Sequence, residues 1–120
     1  MKKILIVEDV EFNRELLVQL LEDDYELVSA DDGAKGVAMA KSERPDLILM
    51  DMSLPIMSGY EATQAIKSNP ALAHIPIIAL TAHAMSGDEE KTRAAGCDGY
   101  LAKPLNDNLL FEKLEEFLDD

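Results

Sequence analysis

Ile4-Leu5-Ile6-Val7-Glu8-Asp9 is the stretch that decides the fold, because four consecutive apolar residues end on two acids. A short unbroken apolar run is typical of a strand that is covered on both faces, as in a parallel sheet. The stretch Leu47-Ile48-Leu49-Met50-Asp51 has the same design. Both stretches therefore predict buried strands, and both place carboxyl groups where the strand ends.

Three further runs of strand length and five helical patterns fill the rest of the chain. The runs are residues 77–80, a weaker run at 100–102, and residues 25–30, whose lower apolar content predicts an edge strand. Apolar residues at helical spacing predict the first helix: Phe12, Leu16, Leu17, Leu20 and Leu21. In the last helix they predict the buried stripe: Leu109, Leu110, Leu114, Phe117 and Leu118. Strand and helix alternate five times, which predicts an α/β fold with a doubly wound five-stranded parallel sheet, (βα)5.

Capping residues predict where several helices begin and end. A Ser-x-x-Glu pattern forms a capping box, in which each side chain bonds the backbone N–H of the other residue. Glycine and asparagine are frequent at helix ends for conformational and hydrogen-bonding reasons. The predicted capping boxes are Ser58 with Glu61 and Ser86 with Glu89, while Gly96 ends the fourth helix and Asn106 caps the fifth.

The composition limits the kinds of partner. With 24 acidic residues against 11 Lys and Arg, the chain of 120 residues has a net charge of −13, which repels nucleic acid and anionic membranes. The length fits one domain, residues 1–120. Cys97 is the lone cysteine, and no apolar run reaches the roughly 18 residues of a membrane span. We therefore expect a cytoplasmic protein with neither nucleic acid nor membrane as a partner.

Polar side chains follow four of the predicted strands. Glu8 and Asp9 follow the first, Asp51 the third, Thr81 the fourth and Lys103 the fifth. Ligands of open α/β sheets bind at this carboxyl edge. Three carboxylates that share a site repel one another, and Mg²⁺ prefers such oxygen ligands and often pairs with a phosphate. The set predicts a metal-assisted phosphoryl site with a carboxylate nucleophile.

Each of these residues alone has a simpler explanation. An acid after a strand is often a turn former or a helix cap, and Thr81 alone would be an ordinary strand residue. Lys103 alone would be an exposed loop lysine. Their occurrence together at successive strand ends favours the functional interpretation.

The stretches 4–9 and 47–51, together with three further motifs, closely resemble the receiver domains of bacterial response regulators, the CheY-like family. The further motifs are Leu54-Pro55 with Gly59, then Ala79-Leu80-Thr81-Ala82, and Gly96-Cys97-Asp98-Gly99-Tyr100-Leu101-Ala102-Lys103-Pro104. The resemblance covers essentially the whole chain. It implies a flavodoxin-like sheet with the strand order 2-1-3-4-5 that is known for this family.

The resemblance also assigns roles to the acidic residues. It implies that Asp51 is the phosphoacceptor and that Glu8 and Asp9 hold Mg²⁺, or Mn²⁺ in its place, Asp9 directly and Glu8 through water. The backbone carbonyl of Ser53 would be a further metal ligand. Ser53 and His83 lie two residues beyond Asp51 and Thr81, so they are expected to tune the lifetime of the phosphate. The Glu-Asp pair differs from the commoner Asp-Asp pair but keeps its charge.

Further roles fall on the fourth and fifth strands. Thr81 and Lys103 would contact phosphoryl oxygens, and Tyr100 matches the aromatic residue that turns inward on activation. The resemblance also implies a cis peptide between Lys103 and Pro104, and proline is where a cis bond costs least. The phosphodonor would be a histidine kinase or a phosphotransfer protein. The downstream protein target would bind the surface of the fourth and fifth strands and helices.

The residues disfavour three rival functions. A phosphatase of the haloacid dehalogenase type needs a second Asp two residues after its nucleophile, where this chain has Ser53. A flavodoxin-like electron carrier needs a hydroxyl- and glycine-rich loop after the first strand, where Glu8 and Asp9 would repel the flavin phosphate. A receiver kept only as a scaffold would lack the acceptor or the lysine, and both are present.

The sequence is compatible with several ways of passing the signal on. A receiver catalyses only its own phosphorylation and dephosphorylation, so we do not expect an enzyme. The stretch Ala84-Met85-Ser86-Gly87-Asp88-Glu89-Glu90 resembles single-domain adaptors of the DivK kind. An adaptor or a phosphorelay intermediate is therefore favoured over a chemotaxis-type motor ligand. A receiver excised from a hybrid kinase is a further alternative.

Overall fold

A computed structural model describes residues 1–82, 88–103 and 105–118 of the chain. Within them, strands and helices alternate as predicted. The strands are β1 (Lys3–Val7), β2 (Glu26–Ala30), β3 (Leu47–Asp51), β4 (Ile77–Thr81) and β5 (Gly99–Ala102). The helices are α1 (Glu11–Leu21), α2 (Gly33–Glu43), α3 (Gly59–Lys67), α4 (Asp88–Ala95) and α5 (Asp107–Leu118). None of these described helices has the length and apolar character that crossing a bilayer requires.

All strand pairs are parallel, and the strand order is β2-β1-β3-β4-β5, which confirms the predicted fold class and the predicted edge position of β2. The order reverses between β1 and β3, because the chain leaves β1 first towards β2 and later returns to β3. The register places Val7 opposite Met50. The residues that follow, Glu8 and Asp51, are therefore neighbours at the carboxyl edge of the sheet.

Alternate strand residues form two buried layers, one on each face of the sheet. Helices α1 and α5 cover the layer that contains Ile6, Leu49 and Leu80. Helices α2 and α3 cover the layer that contains Val7 and Met50. Fully burying one such aliphatic side chain contributes about 1.5–3 kcal/mol. Since both faces are covered, the short unbroken apolar runs are explained.

The predicted buried stripe of α5 is only partly correct, and the apolar residues of α1 are likewise not all buried. Leu17 and Leu21 are buried in α1, but Phe12 is 68% and Leu16 44% exposed. In α5, Leu110 and Leu114 are buried and Leu109 is 51% exposed. A helix that lies on one flat sheet buries a narrow stripe at four-residue spacing, and a residue one position away points about 100° aside.

The helix ends agree with the predictions that fall on described residues. Ser58 and Glu61 form a complete capping box at α3, and the Asn106 side chain accepts a hydrogen bond from the Leu109 N–H at 3.2 Å. Gly96 ends α4 with a φ of +113°, a conformation that side chains disfavour. The predicted box of Ser86 with Glu89 involves a residue outside the described ranges.

Candidate functional site

Three carboxyl groups meet at the carboxyl edge where the strand order reverses. Glu8 follows β1, Asp9 comes next, and Asp51 ends β3. One oxygen from each of these groups lies within 4.8 Å of the other two. Glu8 and Asp51 are buried, being 0% and 3% exposed, whereas Asp9 is open to solvent. The structure thus brings together the predicted acidic cluster.

Lys103 joins this cluster from the end of β5. Its Nζ lies 2.9 Å from Glu8 Oε1 and 3.3 Å from Asp51 Oδ2, so one ammonium contacts both buried carboxyl groups. Its backbone N–H donates to the Thr81 carbonyl at 2.7 Å, which fixes the start of the side chain. Burial lowers the pKa of Lys103, but the hydrogen bond to Glu8 and the charge of Asp51 outweigh it and leave the pKa raised. The lysine is therefore a fixed positive charge.

One ammonium does not balance the acids that surround it. Burial, and then the hydrogen bond and charge of Asp51, raise the pKa of Glu8 to about 7, although Lys103 and the Val10 N–H oppose the rise. A divalent cation would remove this repulsion, and clustered carboxylates are the oxygen ligands that Mg²⁺ takes. The donor set of Glu8, Asp9 and Asp51 therefore fits a magnesium ion.

The Asp51 carboxyl group is held in one orientation. Oδ1 accepts a hydrogen bond from the Ser53 N–H at 3.0 Å, and Oδ2 faces the Lys103 ammonium. The loop that follows packs tightly, because a Cβ on Gly59 would lie 2.2 Å from the Asp51 carbonyl oxygen. A carboxylate whose orientation is fixed by two donors and by a tightly packed loop is suited to act as a nucleophile.

The other predicted site residues lie on or beside β4 and β5. Thr81 is 1% exposed at the end of β4, where it pairs in register with Ala102. Tyr100 is half-buried on β5, two residues before Ala102, and pairs in register with Ala79. His83 and Pro104 lie outside the described residues, and so does the predicted cis peptide.

Sequence reasoning missed two features of the site. Arg14, on the first turns of α1, donates to the backbone carbonyl of Glu8 at 2.9 Å. A cavity of about 620 Å³ opens beside Glu8 and Lys103, with Leu16 and Leu20 among its lining residues. A single arginine in an amphipathic helix gives no sequence signal for such a contact, whereas the exposed position of Leu16 explains why the cavity has an apolar wall.

The family follows from comparison with known proteins. Residues 4–115 match the model of the response regulator receiver domain. This chain belongs to that family. It is 43% identical over 120 residues to the polar-differentiation response regulator DivK of Brucella anthropi, covering 99% of this chain and 98% of the relative. The suspected resemblance to single-domain receivers of the CheY and DivK type is thereby confirmed.

Solved receiver structures agree over the whole fold. The receiver domain of a sensor histidine kinase from Pseudomonas aeruginosa superposes with a TM-score of 0.92 at 38% identity, covering 99% of this chain and 98% of that one. That structure has a magnesium ion coordinated in its active site cleft. The chemotaxis protein CheY4 of Vibrio cholerae gives a TM-score of 0.92 at 32% identity, covering 98% and 99% of the two chains.

Membership of this family places the chain in two-component, phosphorylation-dependent signalling. Receiver domains are signalling proteins rather than true enzymes, and they interact with histidine kinases or phosphotransfer proteins. The acidic cluster of Glu8, Asp9 and Asp51 could hold a metal ion.

Proposed function

We propose that Asp51 accepts a phosphoryl group from a histidine kinase or phosphotransfer protein and that the receiver, residues 1–120, passes the signal on by protein contact. The observation that carries the proposal is that oxygens of Glu8, Asp9 and Asp51 lie within 4.8 Å of one another at one edge of the sheet, where the Lys103 ammonium contacts Glu8 and Asp51. Family membership supports the same chemistry.

The transfer step uses the orientation of the Asp51 carboxylate. An Asp51 oxygen attacks the phosphorus of a phosphohistidine, and a P–O bond forms as the P–N bond breaks. The imidazole nitrogen leaves with the electron pair and takes up a proton. The Lys103 ammonium, already 3.3 Å from Asp51 Oδ2, offsets negative charge on the equatorial oxygens. The product is an aspartyl phosphate, and hydrolysis resets the switch.

Glu8, Asp9 and Asp51 would hold Mg²⁺, with the Ser53 carbonyl as a further ligand. Asp9, the exposed acid, would bind directly and Glu8 through water. When bound, the ion neutralises charge on the phosphoryl group and orients it against the acceptor. Mn²⁺ takes the same oxygen ligands and would substitute. The clustering of the three carboxyl groups supports this assignment.

The response to phosphorylation would be a shift between two conformations. Thr81 would hydrogen-bond the phosphoryl group, and Tyr100 would then turn inward and reshape the surface of β4, α4, β5 and α5 for a downstream protein. Buried Thr81 and half-buried Tyr100 lie on the paired strands β4 and β5, two register positions apart, which supports this coupling. Ser53 and His83 would set the lifetime of the phosphate.

An adaptor or phosphorelay role is the output that we propose, since a DivK protein is among the relatives that match the chain along its length. The two roles differ in where the phosphoryl group goes. Mixed with unphosphorylated phosphotransfer protein, a relay intermediate would lose its label to the histidine, whereas an adaptor would retain it. A motor ligand and a receiver from a hybrid kinase remain the alternative outcomes.

Labelling by a small phosphodonor tests the central proposal. With acetyl phosphate and Mg²⁺, intact-mass spectrometry should show one added phosphoryl group on the wild type and none on Asp51→Asn, because an amide is a poor nucleophile. Asp46→Asn is the matched control, since Asp46 is exposed at the opposite end of the sheet, and it should label like the wild type. Full labelling of Asp51→Asn would remove the assignment.

A further inference from the structure

The turn that carries Glu8 and Asp9 lacks the usual support for such a turn. Helix α1 begins at Glu11, and its N-cap residue is Val10, whose side chain makes no capping hydrogen bond. Ser, Thr, Asn and Asp are preferred at this position because their side chains accept a backbone N–H. The Val10 N–H donates instead to the Glu8 carboxyl group at 3.2 Å. The backbone N–H of Glu8 also donates to the Ala30 carbonyl at 3.1 Å, so the turn is anchored at its start, and a further contact would restrict the rest of it.

Arg14 supplies such a contact from one turn further along α1. Its Nη1 donates to the Glu8 backbone carbonyl at 2.9 Å, and the side chain is half-buried. Its charge also helps to lower the pKa of Asp31, after the larger effect of Lys35. Arg14 thus lies between the turn after β1 and the turn after β2. The contact leaves the Glu8 carboxyl group free to face Lys103.

We propose that Arg14 is a positioning residue for the metal site, which holds the Glu8–Asp9 turn in the geometry that Mg²⁺ requires. This inference rests on the proposed function, because it assumes that the acidic cluster binds the ion. Magnesium demands near-ideal octahedral geometry, so a turn that is free to shift loses affinity. Groups that orient metal ligands typically change affinity 10- to 100-fold when they are removed.

Electrostatics alone would give the opposite sign. Arg14 is a cation near the place of a dication, so removing its charge should tighten Mg²⁺ binding. Positioning predicts that removal weakens binding. The direction of the change in Mg²⁺ affinity therefore separates the two explanations. A general loss of stability would not change the Mg²⁺ affinity of the molecules that remain folded.

The test is a calorimetric Mg²⁺ titration of the full chain. Arg14→Met should weaken binding by about 10-fold, and Arg14→Lys, which keeps a cationic donor, should recover most of the affinity. Arg44→Met is the matched control, since Arg44 is exposed before β3 at the other end of the sheet, and it should bind like the wild type. If Arg14→Met does not fold by circular dichroism, Arg14→Gln decides in its place.

Three results would overturn the proposal. They are wild-type affinity in the neutral variant, tighter binding in it, and equal weakening by Arg44→Met. Labelling by acetyl phosphate at saturating Mg²⁺ distinguishes this failure from failure of the proposed function. Arg14→Met should still label there, because excess metal compensates for lower affinity, whereas a wild-type chain that never labels would sink the proposed function itself.

Discussion

The two ends of the sheet treat charge in opposite ways. At the carboxyl end, three acids crowd one ammonium, and the pKa of Glu8 rises to about 7. At the amino end, the Lys67 ammonium donates to the carbonyls of Ala73 and Ile75 and to the Asp98 carboxylate at 2.7–3.1 Å. Negative charges crowd together at the carboxyl end, whereas at the amino end the positive charge of Lys67 is paired with a carboxylate and two carbonyls.

The amino end uses charge to join strands. Asp98, just before β5, also accepts from the Ile77 N–H at 2.9 Å, so Lys67 and Asp98 link α3 to β4 and β5. Lys3, the first residue of β1, contacts Glu43 at 3.2 Å and Glu26 at 3.5 Å. Its pKa is raised chiefly by the hydrogen bond to Glu43. Charges here stabilise the fold as it stands.

At the carboxyl end, the repulsion between buried carboxyl groups is of a kind that a bound cation can relieve. A crowded acidic cluster costs stability until a cation or phosphate contact offsets it. Mutations at the two ends should therefore change stability in opposite directions.

The largest effect is expected from Lys67→Met at the amino end. The Asp98 carboxylate and two carbonyls would lose their shared donor, which costs about 2–3 kcal/mol of the free energy of unfolding. Urea denaturation measures it. Lys113→Met is the control, because its pair with Glu116 is on the surface and contributes about 0–1 kcal/mol. Equal effects of the two substitutions would contradict the distinction.

At the carboxyl end, Glu8→Gln should stabilise the protein by about 1–2 kcal/mol at pH 8 in EDTA, because it removes a buried charge beside Asp51. Excess Mg²⁺ should reverse the order, since the wild type would then gain a ligand-stabilised state that the variant binds less well. Urea denaturation with and without the ion checks both signs. Destabilisation in EDTA would show that the contact of Glu8 with Lys103 outweighs the repulsion.

The pH profile sharpens the same point. A folded-state pKa of about 7 for Glu8, above its ordinary value, means that the folded state keeps this proton when the unfolded chain has lost it. The destabilising effect of ionised Glu8 is absent below about pH 4.5, and it grows as the pH rises to about 7. Wild-type protein in EDTA should lose stability over this window, and Glu8→Gln should lose less. If stability falls with pH equally in the wild type and in Glu8→Gln, groups other than Glu8 cause the fall.

Much of the fold follows from the sequence because both layers of the sheet are covered. The runs around Ile6 and Leu49 are unbroken for that reason, and the carboxylic acids that follow them mark the edge. Neighbouring strand ends then bring Glu8 to Asp51 without any knowledge of side-chain conformation. The family motifs supplied the strand order that the pattern of runs alone leaves open.

What the sequence did not predict depends on side-chain direction. Helical spacing includes Phe12 and Leu16 in the apolar stripe, but only the angle at which α1 lies on the sheet decides that they are exposed. The contact of Arg14 with the Glu8 carbonyl likewise depends on how α1 leaves the turn. Because the acceptor is a backbone oxygen, this contact needs no particular partner side chain, and no pattern of residues in the sequence predicts it.

The smallest effect is expected at the rim of the carboxyl end, where Ile56 has a φ of +68° and is 87% exposed. A β-branched residue is strained in this conformation, and glycine is not. Ile56→Gly should raise the free energy of unfolding by about 0.5–1 kcal/mol, because relief of strain exceeds the added flexibility of the unfolded chain. Ile56→Val, which keeps the branch, should leave stability unchanged. A loss of stability in the glycine variant would show that Ile56 packs against the loop, and strain at this end would then belong to the acids alone.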